Sequence, residues 1–337
     1  MDSIVCNEPN QFMLRREEMP RPLPGEALVR IRRVGVCGTD YHAYRGRQPY
    51  FTYPRVLGHE LAGEIDMVES NAVGLTKGDR VAILPYLQCG QCVACRNNRP
   101  NCCTNLKVLG VHMDGGMREY LTVPVTHLLP SSALSLDQLA VVEPLSIAAH
   151  AVRRAQIVPG EFVLVIGMGP IGLGVSKFAT LAGGRVIALD VNEKRLQFGH
   201  QWSGTAHAVR AGEDALKTVE ELTSGEFPTV VFDATGNAQS MSQALQFLAH
   251  SGRLVYVGLV QADFSLSDPE FHKRETTLLS SRNATREDFE TVMKFMEQGK
   301  VDVDAFITHR APFAEFVQAF DKWTDPQSKV IKAVVEL

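Results

Sequence analysis

The stretch FVLVIGMGPIGLGVSKFATLAGGRVIALD, from Phe162 to Asp190, constrains this chain more than any other. FVLVI is an unbroken apolar run of the kind used by a parallel strand buried on both faces. It leads into GMGPIG, with Gly167, Gly169 and Gly172, then a helix-like LGVSKFATLAGG, then a second apolar strand, RVIALD. A Gly-x-Gly-x-x-Gly alone is weak, and a glycine-rich turn without a ligand is its plain alternative. Here the glycines leave a strand and open a helix, and an acid, Asp190, closes the next strand eighteen residues beyond Gly172. That is the setting in which a dinucleotide is held. Gly167 permits the tight turn, Gly169 lets a pyrophosphate approach backbone N–H groups, and Gly172 lets helix and strand pack closely. Asp190 would accept hydrogen bonds from the adenosine ribose hydroxyls and repel a 2′-phosphate, which favours NAD over NADP. TVVFDATG, NAQSMSQALQFLAHSG and RLVYVGL continue the strand–helix–strand rhythm, so a doubly wound parallel sheet is expected.

The first half is written differently. PRPLPG breaks any helix, and ALVRIRRVGV then alternates apolar and basic residues with period two, reading as a half-buried strand that delivers Cys37. LAGEIDMVE and DRVAILPY read as further strands, so the first 85 or so residues predict an all-β, turn-rich module. GVCGTDYH supplies Cys37, Thr39, Asp40 and His42, and LGHE supplies His59 and Glu60. A thiolate, an imidazole and a carboxylate give Zn²⁺ a tetrahedral site with one open position. The plain alternative is a small buried cysteine beside surface polar groups.

Five of the seven cysteines fall between Cys89 and Cys103. An odd total and such tight spacing argue against a secreted disulfide framework and for metal ligation. Cys89, Cys92 and Cys95 make two overlapping C-x2-C steps, and Cys103 completes a four-thiolate shell. Such a shell leaves no place for substrate, so its zinc would be structural. An iron–sulfur cluster uses the same ligand set and stays open as an alternative. Cys102 reads as a bystander.

At 337 residues the chain exceeds one ordinary core, so two domains are expected. Hydrophobic and charged contents of 45% and 21% are globular, and a net charge of −4 gives no support for nucleic acid or a membrane surface as partner. No basic segment followed by an apolar run opens the sequence, and no apolar run reaches the ~18–20 residues of a membrane span. The cytoplasm is the expected location.

In GVHMDGG, His112 and Asp114 are either pocket residues or loop residues. Glu143 lies between VV and PL, just before Pro144 in the first turn of an expected helix, and an acid among apolar residues needs a partner such as a metal. REDFETVMKFMEQGK, ITHR, FAEFVQAFDKW and VIKAVVEL read as helix, strand, helix and strand, a tail expected to return to the β-rich part.

GVCGTDYH, GHE, the four-cysteine lobe, VEPLSIAAHAVRR, VIGMGPIG with Asp190, and DATGN stand in the order found in one family. Over essentially its whole length the chain resembles the zinc-containing medium-chain alcohol and polyol dehydrogenases. The resemblance implies an α/β fold with a GroES-like β-rich catalytic domain, residues 1–148 and 286–337, carrying a structural-zinc lobe at about 89–103. Residues 149–285 would form a Rossmann NAD-binding domain. It implies two Zn²⁺ per chain, and NAD. Cys37 and His59 would ligate the catalytic zinc. Glu143 stands where alcohol dehydrogenases carry a second cysteine, as in the sorbitol and sugar dehydrogenase branch, and Glu60 and Glu143 both remain candidates for the carboxylate ligand. Thr39 and His42 match a proton relay to solvent, and Asp40 a partner of the site. Pro170, Ile171, Arg195, Thr235, Gly236, Gly258 and Leu259 join the glycine turn and Asp190 as cofactor contacts. Homodimers or homotetramers assembled through the nucleotide domain are implied as well.

YPRVLGHE, GVHMDGG and FHKRETTLLSSRNAT look most like bacterial sugar-acid dehydrogenases, L-galactonate oxidoreductases and starvation-sensing proteins among them. A sugar acid needs a cation near the pocket, and Arg47, Arg118, Lys273 and Arg282 are candidates, each also readable as an ordinary surface charge. The expected activity is NAD(H)-dependent interconversion of a secondary alcohol of a polyol or sugar acid and its ketone. An NAD-binding regulator without turnover, a zinc-free reductase of quinones or enones, and an L-threonine or other alcohol dehydrogenase are the rivals.

Overall fold

A computed structural model gives the fold and describes every residue except Pro49 and the side chain of Pro326. The chain divides into two compact units, Met1–Pro144 with Thr285–Leu337, and Leu145–Ala284. No helix among the described residues is long and apolar enough to cross a membrane.

Up to residue 144 the strands are β1 (Asp2–Glu8), β2 (Gln11–Arg16), β3 (Glu26–Val36), β4 (Arg55–Val56), β5 (Glu60–Val68), β6 (Arg80–Ile83), β7 (Tyr86–Leu87), β8 (Lys107–Val108), β9 (Tyr120–Pro124) and β10 (Leu128–Pro130). The alternation expected of ALVRIRRVGV holds only in part, since Ala27, Leu28 and Val29 are all buried. Register shifts against β5 at Leu28/Val29 and Ile31/Arg33 move the side chains from one face to the other. The all-β reading of this region also misses a seven-residue helix, Gly38–Tyr44. Two turns are too short for a 3.6-residue pattern to show. The helix starts because the Asp40 carboxylate accepts the Cys37 N–H at 2.8 Å, satisfying a donor the helix cannot.

The second unit holds β11 (Phe162–Ile166), β12 (Arg185–Asp190), β13 (His207–Arg210), β14 (Val230–Asp233), β15 (Arg253–Tyr256) and β16 (Thr277–Ser280). They form one sheet in the order β13-β12-β11-β14-β15-β16, parallel throughout. The order reverses between β11 and β14, and in such sheets ligands bind where the carboxyl ends of the strands splay at that reversal. Edge strands β13 and β16 carry no apolar run and escaped the sequence reading; their neighbours are buried on both faces.

The tail adds β17 (Ile307–Pro312) and β18 (Lys332–Glu336) to the first unit. They complete a sheet in the order β10-β6-β5-β3-β18-β17, with β9 also paired to β3. The helix Phe316–Trp323 buries Phe316, Phe320 and Trp323 in the core of this sheet, a spacing of four and then three residues that puts all three on one face. β3 is thereby the spine of the unit, and both of its flanks meet at its end.

Candidate metal centres and nucleotide turn

β3 hands the chain to Cys37 at the mouth of the helix Gly38–Tyr44. β5 runs antiparallel beside it and opens with Glu60 opposite Gly35. A Cβ at residue 35 would lie 2.1 Å from Glu60 Oε2, so glycine there reserves the space that carboxylate occupies. On the other flank β18 pairs Ala333 with Val36, which carries Lys332 to the same place. Its ammonium donates to both Glu60 oxygens, at 2.6 and 2.8 Å, and to the Val36 carbonyl at 3.2 Å, with the side chain only 2% exposed. Sequence reasoning missed Lys332, whose one signal is a lone basic residue in an apolar closing strand.

Cys37, His59 and Glu60 offer ligand atoms that all lie within 4.8 Å of one another. Glu143, buried on the helix Val142–Ala155, stands outside that tight group. Its Oε1 accepts the Tyr86 hydroxyl. Its Oε2, like His59 Nδ1 and Asp40 Oδ1, is buried with no hydrogen-bond partner among the described residues. His59 Nδ1 is 3.8 Å from Asp40 Oδ1. Burial opposes charge on His59, yet Asp40, Cys37 and Glu143 outweigh it and lift the imidazole well above its ordinary pKa. Burial raises Glu143 to about 7 against the pull of His59. Burial likewise raises Asp40, with His59 and the Cys37 N–H opposing. The His59 shift reports the negative charge around it, and the unpartnered atoms of Glu143, His59 and Asp40 are buried groups of the kind that a bound cation would satisfy. Thiolate, imidazole and carboxylate donors suit zinc.

Thr39 and His42 share a face of their helix, Thr39 half-buried and His42 exposed, and no hydrogen bond joins them among the described residues. The GVHMDGG loop packs its backbone against the segment that leads into His59. A Cβ on Gly115 would lie 2.2 Å from the Gly58 carbonyl oxygen, so the loop backbone clamps the residue that precedes His59. His112 Nδ1 accepts the Val108 N–H at 3.2 Å, and Asp114 accepts the Val56 N–H at 3.0 Å. Arg118 pairs with Asp114 at 3.5 Å and Glu17 at 3.9 Å. Lys273 pairs with Glu270 at 3.8 Å, and Arg282 is exposed on the second unit. Arg47 is exposed just beyond His42, its backbone N–H on the His42 carbonyl at 2.8 Å.

The four-cysteine lobe is the loop between β7 and β8. Sulfurs of Cys89, Cys92, Cys95 and Cys103 lie within 4.8 Å of one another, with Cys92–Cys95 and Cys89–Cys103 both at 3.5 Å. Tetrahedral zinc with Zn–S bonds of ~2.3 Å requires sulfur–sulfur edges of about 3.8 Å, so these four are nearly in place. The N–H groups of Cys89 and Asn105 point at Cys103 Sγ, each at 3.3 Å. Backbone N–H groups of Cys95 and Thr104 pull the Cys92 thiol down, while burial and the neighbouring sulfurs push Cys95 up, the mark of thiols crowded into one cluster. Cys102 is exposed, outside the cluster.

In the second unit every expected cofactor residue gathers at the carboxyl ends of β11, β12, β14 and β15. Gly167 turns with φ +95°, and a Cβ on Gly172 would lie 1.6 Å from its carbonyl oxygen. Gly169 faces open space and caps the helix Pro170–Leu181, with Pro170 and Ile171 in its first turn. Asp190 accepts the Met168 N–H at 2.6 Å and the Asn192 N–H at 2.7 Å, which lock its carboxylate to the glycine turn. Arg195 is exposed in the first turn of the following helix, its N–H on Asn192 Oδ1 at 3.1 Å. Thr235 and Gly236 follow β14, and Gly258 and Leu259 follow β15, backbone against backbone, since a Cβ on Gly258 would lie 2.3 Å from the Gly236 nitrogen. Leu259 is largely exposed.

Residues 23–133 match the alcohol dehydrogenase GroES-like domain, and residues 170–298 match the zinc-binding dehydrogenase family. The chain therefore belongs to the zinc-type alcohol dehydrogenases, and it is an oxidoreductase with their GroES-like and parallel-sheet nucleotide-binding domains. It is 42% identical over 335 residues to the L-galactonate-5-dehydrogenase of Escherichia coli K12, covering 99% of this chain and 98% of that one. It is 33% identical over 341 residues to the starvation-sensing protein RspB of the same organism, covering 99% of each. The crystal structure of rspB from E. coli CFT073, complexed with NADH, superposes with a TM-score of 0.93 at 31% identity, covering 100% of this chain and 99% of that one.

Proposed function

We propose that this protein is a zinc-dependent, NAD-linked dehydrogenase that interconverts a secondary hydroxyl of a sugar acid of the L-galactonate type and its ketone. The observation that carries this reading is the group of Cys37, His59 and Glu60, whose ligand atoms lie within 4.8 Å of one another, together with the buried, unpartnered Oε2 of Glu143. Zinc supplies Lewis acidity, which acidifies a nearby hydroxyl. Cys37 and His59 would hold it with one of the two carboxylates, Glu60 or Glu143, as third ligand, which leaves the fourth position open, and Lys332 offsets the charge of Glu60. Thr39 takes up the hydroxyl proton and His42 releases it to water, an order that matches half-buried followed by exposed. The turn at Gly167–Gly172 and the fixed carboxylate of Asp190 seat NAD, which supplies the hydride chemistry. Cys89, Cys92, Cys95 and Cys103 hold a second, structural zinc. Seven cysteines without disulfides suit the cytoplasm.

Two features narrow the substrate. A relative this similar oxidises a sugar acid by name, and Arg47 is the one of the four candidate cations that lies beside His42 and has no ion pair among the described residues. NADH formation is to be measured with L-galactonate, L-gulonate, D-sorbitol and L-threonine, alongside zinc content. Expected are two zinc per chain and turnover of a sugar acid. Arg47→Gln should raise KM for the acid about tenfold, the loss of one charge-assisted hydrogen bond, and leave a neutral polyol unchanged. Turnover restricted to neutral polyols would remove the sugar-acid assignment.

The protein acts as a homodimer or homotetramer joined through the nucleotide unit. β16 is a sheet edge whose outer backbone groups meet no further strand among the described residues, and its Leu278 is 41% exposed. Light scattering should give two or four times the 37.1 kDa chain mass, and a monomer would refute the assembly.

A further inference from the structure

Glu143 ends a side chain with three torsions, the last of them intrinsically broad, so its two oxygens exchange places easily unless something holds one. Among the described residues its one hydrogen bond comes from the Tyr86 hydroxyl. Tyr86 is 4% exposed and stands on β7, in register with Val108 of β8. Its ring meets Phe289 edge-on, centroids 6.3 Å apart and planes at 87°. Backbone and ring are both fixed, so the direction of the hydroxyl is set in advance. Strands of two residues do not stand alone. β7 and β8 are joined by the four-cysteine lobe, whose closure holds the ladder that carries Tyr86.

A tyrosine hydroxyl has a single proton to donate. It engages Oε1 and leaves Oε2 bare in a buried pocket. Phenylalanine would fill the same space and meet Phe289 equally well, so the ring alone does not account for the hydroxyl. We infer that Tyr86 is a positioning residue acting through Glu143, pinning one carboxylate oxygen so that the other is left free to serve the metal held by Cys37 and His59. This rests on the metal reading proposed above. The sequence carries no signal for it, since Tyr86 lies outside every motif and meets Glu143 across 57 positions.

The test is zinc retention by the full-length holoprotein under graded chelator, with Co²⁺ placed in the catalytic site for its visible spectrum. Tyr86→Phe should give up one of two zinc at about 10–100-fold lower chelator concentration than wild type, the range found when a ligand's outer partner is removed. The four-thiolate zinc should stay, the Co²⁺ spectrum should shift, and adding Tyr86→Phe to Glu143→Ala should cost nothing further. Should Tyr86→Phe fail to fold, 4-aminophenylalanine and 4-fluorophenylalanine at this position make the same comparison at matched bulk, the first keeping the zinc and the second losing it. Unchanged retention with an unchanged spectrum, or losses that add, overturns the inference while the metal reading stands. A wild-type protein holding one zinc or none overturns the metal reading and this inference together.

Discussion

Replacing Cys37 by Ser is expected to lower turnover by roughly three orders of magnitude or more while NADH still binds with near wild-type affinity. The first half follows from charge. The thiolate is the softest donor of the pocket, and a serine hydroxyl does not ionise to replace it, so the site loses a ligand and a negative charge together. Lewis-acid stabilisation is worth several kcal/mol, and each ~1.4 kcal/mol is a factor of ten in rate. The second half follows from the division of the chain. Cys37 belongs to Met1–Pro144, whereas the glycine turn, Asp190, Thr235 and Gly258 all belong to Leu145–Ala284. Steady-state NADH formation, fluorescence titration with NADH and zinc content together decide it. Wild-type turnover in the serine variant would dismiss the metal role of Cys37.

Lys332→Met is expected to cost about 3–5 kcal/mol of stability, the penalty for stripping one partner from a buried ion pair. Methionine fills the stem's volume but leaves both Glu60 oxygens and the Val36 carbonyl without the donor that Lys332 supplies. The double variant Glu60→Gln with Lys332→Met should recover most of the loss, because the uncompensated charge goes with the pair. Burial alone would lower the Lys332 pKa, but Glu60 and Cys37 more than compensate and raise it above 10.5. A cation whose pKa rises on folding stabilises fully below its unfolded value and is lost as pH climbs through the folded one. The difference between wild type and Lys332→Met should therefore be flat from pH 7 to about 10 and shrink only at higher pH. Urea titrations across that range measure it, and a loss under 1 kcal/mol at pH 7 would show the pair to be unimportant.

What the sequence disclosed and what it hid divide along a physical line. The glycine turn and the four-cysteine lobe could be read because their chemistry lies in local spacing: three glycines within six residues, four thiolates within fifteen. Cys37, His59 and Glu60 could be picked out by ligand type. Lys332 and Tyr86 could not, since tertiary packing creates their partnerships, 272 and 57 positions apart, and no short window contains both members. His112 and Asp114 were ambiguous for a related reason. Their loop is defined by what its glycines press against at Gly58, and a sequence names the glycine without naming the neighbour. The helix Gly38–Tyr44 was hidden by brevity, and β13 and β16 by lying at sheet edges where no apolar run is needed.

Glu60 and Lys332 are 272 positions apart. At ~5–20 residues per second, a ribosome takes on the order of 15–55 s to supply the cation after making the anion. Throughout that interval the whole nucleotide unit is synthesised and free to fold, while the catalytic strand lacks its eventual neighbour and its carboxylate stays in water. Order of manufacture thus makes the inserted half the earlier to mature and the half that surrounds it the later, whichever of the two contains residue 1.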